Sequence, residues 1–235
     1  MGLQRILKMK KILIIVMSHE TEDKVFKTYK KTWDNIISIN KNMYPIDVLF
    51  LYSKTNIDCE YIIEQNNLYS KCEENYWDSL LIKTISGFKF FYDNDYDFVF
   101  KTNLSTIVNF KKFYNYVSKI NDEGIIYEGV IGSHDNYKFC SGAGMLLNKN
   151  SVKIILENEN LINSSWTDDI FIGYVLNKLN NVKPSYVGLN RYDVTENTIV
   201  TEDLKNYTHI RIKIRKNDKD IYFTNEVFKK IYNQK

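Results

Sequence analysis

Apolar and polar positions along the chain switch repeatedly between two periods. Lys11–Met17 is a nearly continuous apolar run that breaks into the polar Ser18-His19-Glu20-Thr21. Its apolar part, Ile12–Met17, is too short for a signal sequence or a membrane span, so it reads as a first buried strand of a cytoplasmic protein. From about Asp23, Phe26, Tyr29, Trp33 and Ile36 or Ile37 recur at helical spacing. Ile46–Tyr52 reads as a second strand, whereas Ser53–Lys71 is polar and gives no clear element. A long helix is predicted over about Glu73–Tyr92, with Trp77, Leu81, Thr84, Ile85, Phe88 and Phe91 on its apolar positions.

The chain is organised around Asp97–Asn109. An apolar run, Phe98–Phe100, gives way to Thr102, Asn103, Ser105 and Thr106, and then to a helical pattern of Phe110, Phe113, Val117 and Ile120. A buried strand that ends in a polar turn before a helix is where open α/β sheets place their ligands. This stretch is therefore the predicted edge of the active site.

The second half alternates less regularly. Gly124–Ile131 reads as one or two short strands, and Tyr137–Leu147 as a glycine turn running into a strand. Helices are predicted over about Ser151–Glu157 and from Asp168, the latter with Phe171, Ile172, Val175, Leu176 and Leu179. Val182–Val187 reads as a strand. Thr208–Ile214 sets Ile210, Ile212 and Ile214 against His209, Arg211 and Lys213, the pattern of a half-buried strand. Asn225–Tyr232 closes the chain as a helix burying Val227, Phe228 and Ile231. With no repeat, linker or low-complexity segment, one domain over residues 1–235 is the economical reading.

The totals add little beyond exclusions. A 44% hydrophobic content, with 18 Tyr and 13 Phe, excludes a disordered chain. A net charge of +3 is too small to imply nucleic acid, yet it allows a local basic patch facing an anion. The three cysteines, Cys59, Cys72 and Cys140, cannot all pair within the chain, and free thiols are expected.

Five short stretches resemble, in order, the motifs of the β1,3-galactosyltransferase and Fringe superfamily of sugar transferases. They are Lys30-Lys31-Thr32-Trp33, Lys83-Thr84, Lys101-Thr102-Asn103-Leu104-Ser105 with Asn109, Cys140-Ser141-Gly142-Ala143-Gly144, and Asp168-Asp169-Ile170-Phe171-Ile172-Gly173. The resemblance spans about Lys11–Leu179. It implies a single α/β domain of the GT-A, Rossmann-like type, with a mixed, mostly parallel central sheet flanked by helices. A donor-nucleotide half would cover about 8–120 and an acceptor half about 121–235.

The resemblance also implies the activity: transfer of a hexose from a nucleoside diphosphate, a uridine one in the family, to a hydroxyl of a glycan, glycolipid or other acceptor. By motif position Asp169 is the base that deprotonates the acceptor, and Asp168, which replaces a Glu, orients it; one direct displacement inverts the anomeric carbon. Ser18, His19, Lys83, Lys101, Thr102, Asn103, Ser105, His209 and Arg211 are the expected donor-side residues, with Lys213 a further cation. Ser141, Gly142, Ala143, Gly144 and Trp166 are expected toward sugar and acceptor.

One departure stands out. Where the family has an acidic trio that binds a divalent metal, this chain has Asn103, Leu104 and Ser105. Neutral oxygens hold a divalent cation far more weakly than carboxylates. Asn103, Ser105 and His209 are at most a weak set for manganese, which leaves two routes: a metal held mainly by the diphosphate, or cations and backbone amides in its place. A catalytically silent sugar- or nucleotide-binding module on the same fold is the main alternative, and a polyanion-binding interaction protein a more distant one.

Overall fold

The computed structural model describes residues 9–75, 78–162, 166–198 and 200–232; the expected core position Trp77 lies outside them. Strand β1 (Ile12–Met17) is buried along its whole length because it lies in the middle of the sheet with a helical layer on each face. It pairs in parallel with β2 (Ile46–Ser53) on one side and β5 (Phe98–Asn103) on the other. The full order is β3-β4-β2-β1-β5-β8-β7, with β3 (Tyr61–Glu64), β4 (Asn67–Ser70), β7 (Tyr127–His134) and β8 (Tyr137–Asn148) completing seven strands. The four strands β4, β2, β1 and β5 run parallel; β3 and β8 flank them in the opposite direction, and β7 pairs antiparallel with β8 at the far edge. The expected mixed, mostly parallel α/β sheet is what the chain forms.

Side-chain alternation sorts the core. Ile12, Ile14, Val16, Phe98 and Phe100 pack on the side of α1 (Lys24–Asn40), α3 (Phe110–Val117) and α6 (Asn217–Tyr232). Leu13, Ile15 and Val99 face α2 (Asp78–Asp93), α4 (Lys149–Glu157) and α5 (Asp168–Gly173). The same alternation turns Lys101 toward the α2 and α5 layer. A small second sheet, β6 (Thr106–Val108), β10 (His209–Ile212) and β9 (Arg191–Val194), carries the C-terminal strand back beside the end of β5.

Several boundaries differ from the sequence reading. Residues 53–71 contain the β3–β4 hairpin, which Asn66 and Gln65 close with Gln65 at φ 58°. The glycine stretch 140–144 is no turn; it lies inside β8, opposite a register break in β7 between Gly129 and Ile131, and the turn falls at Asp135, φ 48°. Residues 182–187 form no strand: Ser185 alone bridges to Glu128, so this segment touches the edge of β7 at one point instead of extending the sheet. The last helix starts at Asn217 and α2 at Asp78. Beyond Gly173, residues Tyr174–Leu179 continue α5 in the wider π winding.

Candidate functional site

A cleft of about 660 Å³ opens at the C-terminal ends of β1 and β5, between α1, α2 and the chain that leaves β10. Met17, Ser18 and His19 form one wall, Asn103, Leu104 and Ser105 the floor, and Arg211, Lys213 and Arg215 the opposite wall. The local causes are visible in the sequence. Asp23 caps α1 by accepting from the backbone N–H groups of Val25 (2.7 Å) and Phe26 (3.3 Å), and so ends the polar loop after β1. The His19 ring lies edge-on to Phe26 at 4.2 Å, where burial lowers its pKa.

Two of the expected donor-side lysines are committed elsewhere. Lys83, 1% exposed, donates to the Ser18 carbonyl (2.9 Å) and to both carboxylate oxygens of Glu74 (2.7 and 2.9 Å). It braces the β1 loop against the start of α2 while its charge is balanced at the cleft wall. Lys101, 4% exposed, forms an ion pair with the equally buried Asp168, which also accepts from Thr84 Oγ1 at 2.8 Å. Lys101 does not line the cleft. Its strand alternation points it at α5, where its ammonium is the counter-ion of a buried carboxylate.

Asp168 and Asp169 therefore divide the work by burial. Asp168 anchors the first turn of α5 from below. Asp169 is half-exposed; its Oδ2 accepts from the Gly142 N–H (3.1 Å) and its Oδ1 from Thr167 Oγ1 (2.5 Å) and the Ile170 N–H (3.0 Å). Helix-start N–H groups and hydroxyl donors fix the direction of such a carboxylate. Gly142 is required here by space: a Cβ on it would stand 2.5 Å from Lys101 Nζ and 3.5 Å from the Asp169 Cβ. The Ala143 carbonyl accepts from Thr102 Oγ1 (3.4 Å), which ties β8 to the end of β5. Trp166 packs on Tyr174 at 4.8 Å, on the α5 side.

His209 departs from the expected polar strand face. It is 0% exposed, stacked edge-on against Phe100 at 5.3 Å, with Nδ1 3.0 Å from Thr208 Oγ1 and Nε2 without a partner. Gly144 makes room for the ring, since a Cβ there would lie 2.2 Å from Nε2. The alternation fails because β10 is covered on both faces, by its own sheet's core and by β8. Burial, helped by nearby Arg191, lowers the pKa of His209 to about 3. Its unfolded-state value is higher, so the unfolded chain takes up the proton first. Stability is complete above the ordinary histidine pKa and falls as pH drops from about 6.5 toward 3. Urea unfolding at pH 7 and pH 4 should show His209→Gln losing less on acidification than the parent, by roughly 3 kcal/mol at 1.36 kcal/mol per pH unit. Equal losses would show that the buried imidazole does not govern the acid limb.

Three residues at or beside the site were not singled out from the sequence. Arg191 makes a forked contact to Asp193 (2.9 and 3.3 Å) and donates to Ser141 Oγ (3.0 Å), joining β9 to the glycine stretch. Glu74 is nine residues from Lys83 and outside any helical pairing rule. Arg215, at φ 61°, turns the chain from β10 toward α6 in a left-handed conformation and lines the cleft. A basic-x-acidic pair such as Arg191-x-Asp193 on a short strand is the one signal of the three that alternation could have supplied.

Asn103, Ser105 and His209 do not fit a divalent cation. Asn103 Oδ1 already accepts from Ser105 Oγ (2.9 Å) and Thr106 Oγ1 (3.0 Å), closing a small turn upon itself. His209 is sealed behind Gly144. Among the described residues no cluster of three or more His, Cys, Asp or Glu is arranged to hold a metal. The cysteines are free thiols, as expected, and no described helix is long and apolar enough to cross a membrane.

No family model and no curated protein matches the sequence. The fold is nevertheless shared with a solved glycosyltransferase involved in the glycosylation of the major capsid of PBCV-1. The two agree at a TM-score of 0.54 and 11% identity over 92% of this chain and 98% of the other. The glycosyltransferase GlyE of Streptococcus pneumoniae TIGR4 is matched at a TM-score of 0.47 and 11% identity, over 96% of this chain and 62% of that one. The chain thus has a single α/β domain of the kind that the capsid-glycosylating enzyme adopts.

Proposed function

We propose that the protein is a glycosyltransferase of GT-A type that moves a hexose from a nucleoside diphosphate, a uridine one, to a hydroxyl of a glycan, glycolipid or similar acceptor. The observation that carries this reading is the pairing of a cleft at the C-terminal ends of β1 and β5, walled on one side by Arg211, Lys213 and Arg215, with the oriented, half-exposed carboxylate of Asp169. The shared fold with the capsid-glycosylating enzyme supports it. The donor nucleotide would occupy the cleft beside Ser18, His19, Asn103 and Arg211, and the acceptor would approach from the side of Asp169, Ser141 and Trp166.

Asp169 then takes the acceptor hydroxyl proton while that oxygen bonds to the anomeric carbon. The bond from that carbon to the phosphate oxygen breaks, its electron pair stays on the phosphate, and the configuration inverts. Asp168 is a positioning residue: bound to Lys101 and Thr84, it fixes the turn that carries Asp169. Incubation of the full chain with a panel of UDP-hexoses should release UDP from at least one of them, faster when a sugar acceptor is present. Tight UDP-sugar binding with no release from any of them would make the chain a silent binding module.

A further inference from the structure

We propose that Arg211 and Arg215 hold the donor diphosphate and take up its charge as it leaves, in the place a divalent cation fills where an acidic trio is present. This rests on the transferase reading. The floor of the cleft has no oxygen set to spare for a metal, because Asn103 Oδ1 is engaged by the hydroxyls of Ser105 and Thr106. The negative groups facing the cleft are engaged too. Asp23 caps α1, Glu74 is paired with Lys83, and Asp220 accepts from the Tyr29 hydroxyl (2.9 Å) and the Lys216 N–H (2.6 Å).

Positive charge in and beside the cleft is distributed unevenly. Lys83 is balanced by Glu74, and Lys213 reaches Asp193 at 3.2 Å, which also holds Arg191. Arg211 and Arg215 have no ion-pair partner among the described residues, and Arg211 Nε is buried without an acceptor. Burial and the neighbouring charges of Arg191 and Arg215 outweigh the carboxylates of Asp193 and Asp169 and press the Arg211 pKa downward, a local excess of positive charge that an anion would relieve. Guanidinium forks match phosphate oxygens two at a time, which a diphosphate can satisfy from both residues. When the bond from the anomeric carbon to the phosphate oxygen breaks, the nucleoside diphosphate gains one negative charge. The two arginines stand where that charge develops, and the acceptor proton goes to Asp169.

Calorimetric titration of the full chain with inorganic pyrophosphate and with UDP, first in EDTA and then in manganese, separates the cases. Both ligands are expected to bind in EDTA, and manganese should change UDP affinity by no more than about twofold. Arg211→Ala and Arg215→Ala should each weaken both ligands by the same factor, about tenfold or more, as loss of a charged hydrogen bond does. Arg215 is exposed, so its variant tests the idea even if Arg211→Ala perturbs folding. Binding of UDP only with manganese, or arginine variants with parental affinity, would overturn the assignment. Metal-free binding of pyrophosphate without UDP would keep the arginine site and move the donor to another nucleoside. No binding of either ligand, nor of any other nucleoside diphosphate, would remove both this inference and the transferase reading beneath it.

Discussion

Asp169→Asn is expected to lower kcat by about a thousandfold while leaving UDP affinity within a factor of two, because general-base removal costs roughly 10²- to 10⁴-fold. The substitution keeps shape and most contacts. An amide oxygen at Oδ1 can still accept from Thr167 Oγ1 and the Ile170 N–H. The contact it disturbs is the Gly142 N–H, now facing an amide nitrogen if that rotamer is kept. What it removes completely is the capacity to take a proton. Comparing the pH dependence of kcat/KM in parent and variant distinguishes a base from a mere orienting group: the acid limb of the parent profile should vanish in the variant. Full activity in Asp169→Asn would reassign the base and leave the carboxylate as a helix-start cap.

The sequence made the fold legible where burial and period coincide, and failed where they do not. Ile12–Met17 and Phe98–Phe100 could hardly be anything but central strands, since both faces are covered. The β3–β4 hairpin stayed hidden because an edge pair with half-exposed positions has no apolar run to show. Residues 182–187 misled in the opposite way: Val182, Tyr186 and Val187 suggested a strand, but Pro184 interrupts the segment and it meets the sheet only through the single bridge at Ser185. At the site, motif order singled out Gly142, Asp168 and Asp169, which meet at the start of α5, and Asn103 and Ser105, which line the cleft. Charge pairing was not legible. Nothing in the linear chain says that Lys101 is consumed by Asp168 and Lys83 by Glu74, leaving the cleft to Arg211 and Arg215. The face of His209 was read from alternation alone, which cannot see β8 arriving over the strand with Gly144.

Lys101→Met should cost the fold about 3–5 kcal/mol, the usual penalty for removing one partner of a buried ion pair. Both partners are almost wholly enclosed, at 4% exposure each, so water cannot replace the missing ammonium. Methionine fills nearly the same volume, which makes the loss electrostatic rather than a cavity effect. Asp168 would keep the Thr84 hydroxyl and the Asp169 N–H at 2.9 Å, too little to hold a bare charge in the core. Its carboxyl would therefore be pushed to protonate, with a folded pKa above the unfolded one. A raised carboxylate pKa makes the folded state the better proton binder, so the deficit should shrink as the pH is lowered from 7 toward 5. Urea unfolding at the two pH values measures this directly. The double variant Lys101→Met with Asp168→Asn, which buries no charge, should recover most of the loss at pH 7. A deficit below about 1 kcal/mol at pH 7, the range of solvated surface pairs, would show that the pair is not isolated from water. The same deficit ties stability to catalysis. Without the Lys101 anchor the first turn of α5 loosens, and Asp169 loses the direction that the Gly142 and Thr167 contacts otherwise hold. Turnover in the single variant should then fall while UDP binding at the Arg211 wall persists, and the double variant should regain stability without regaining the full rate.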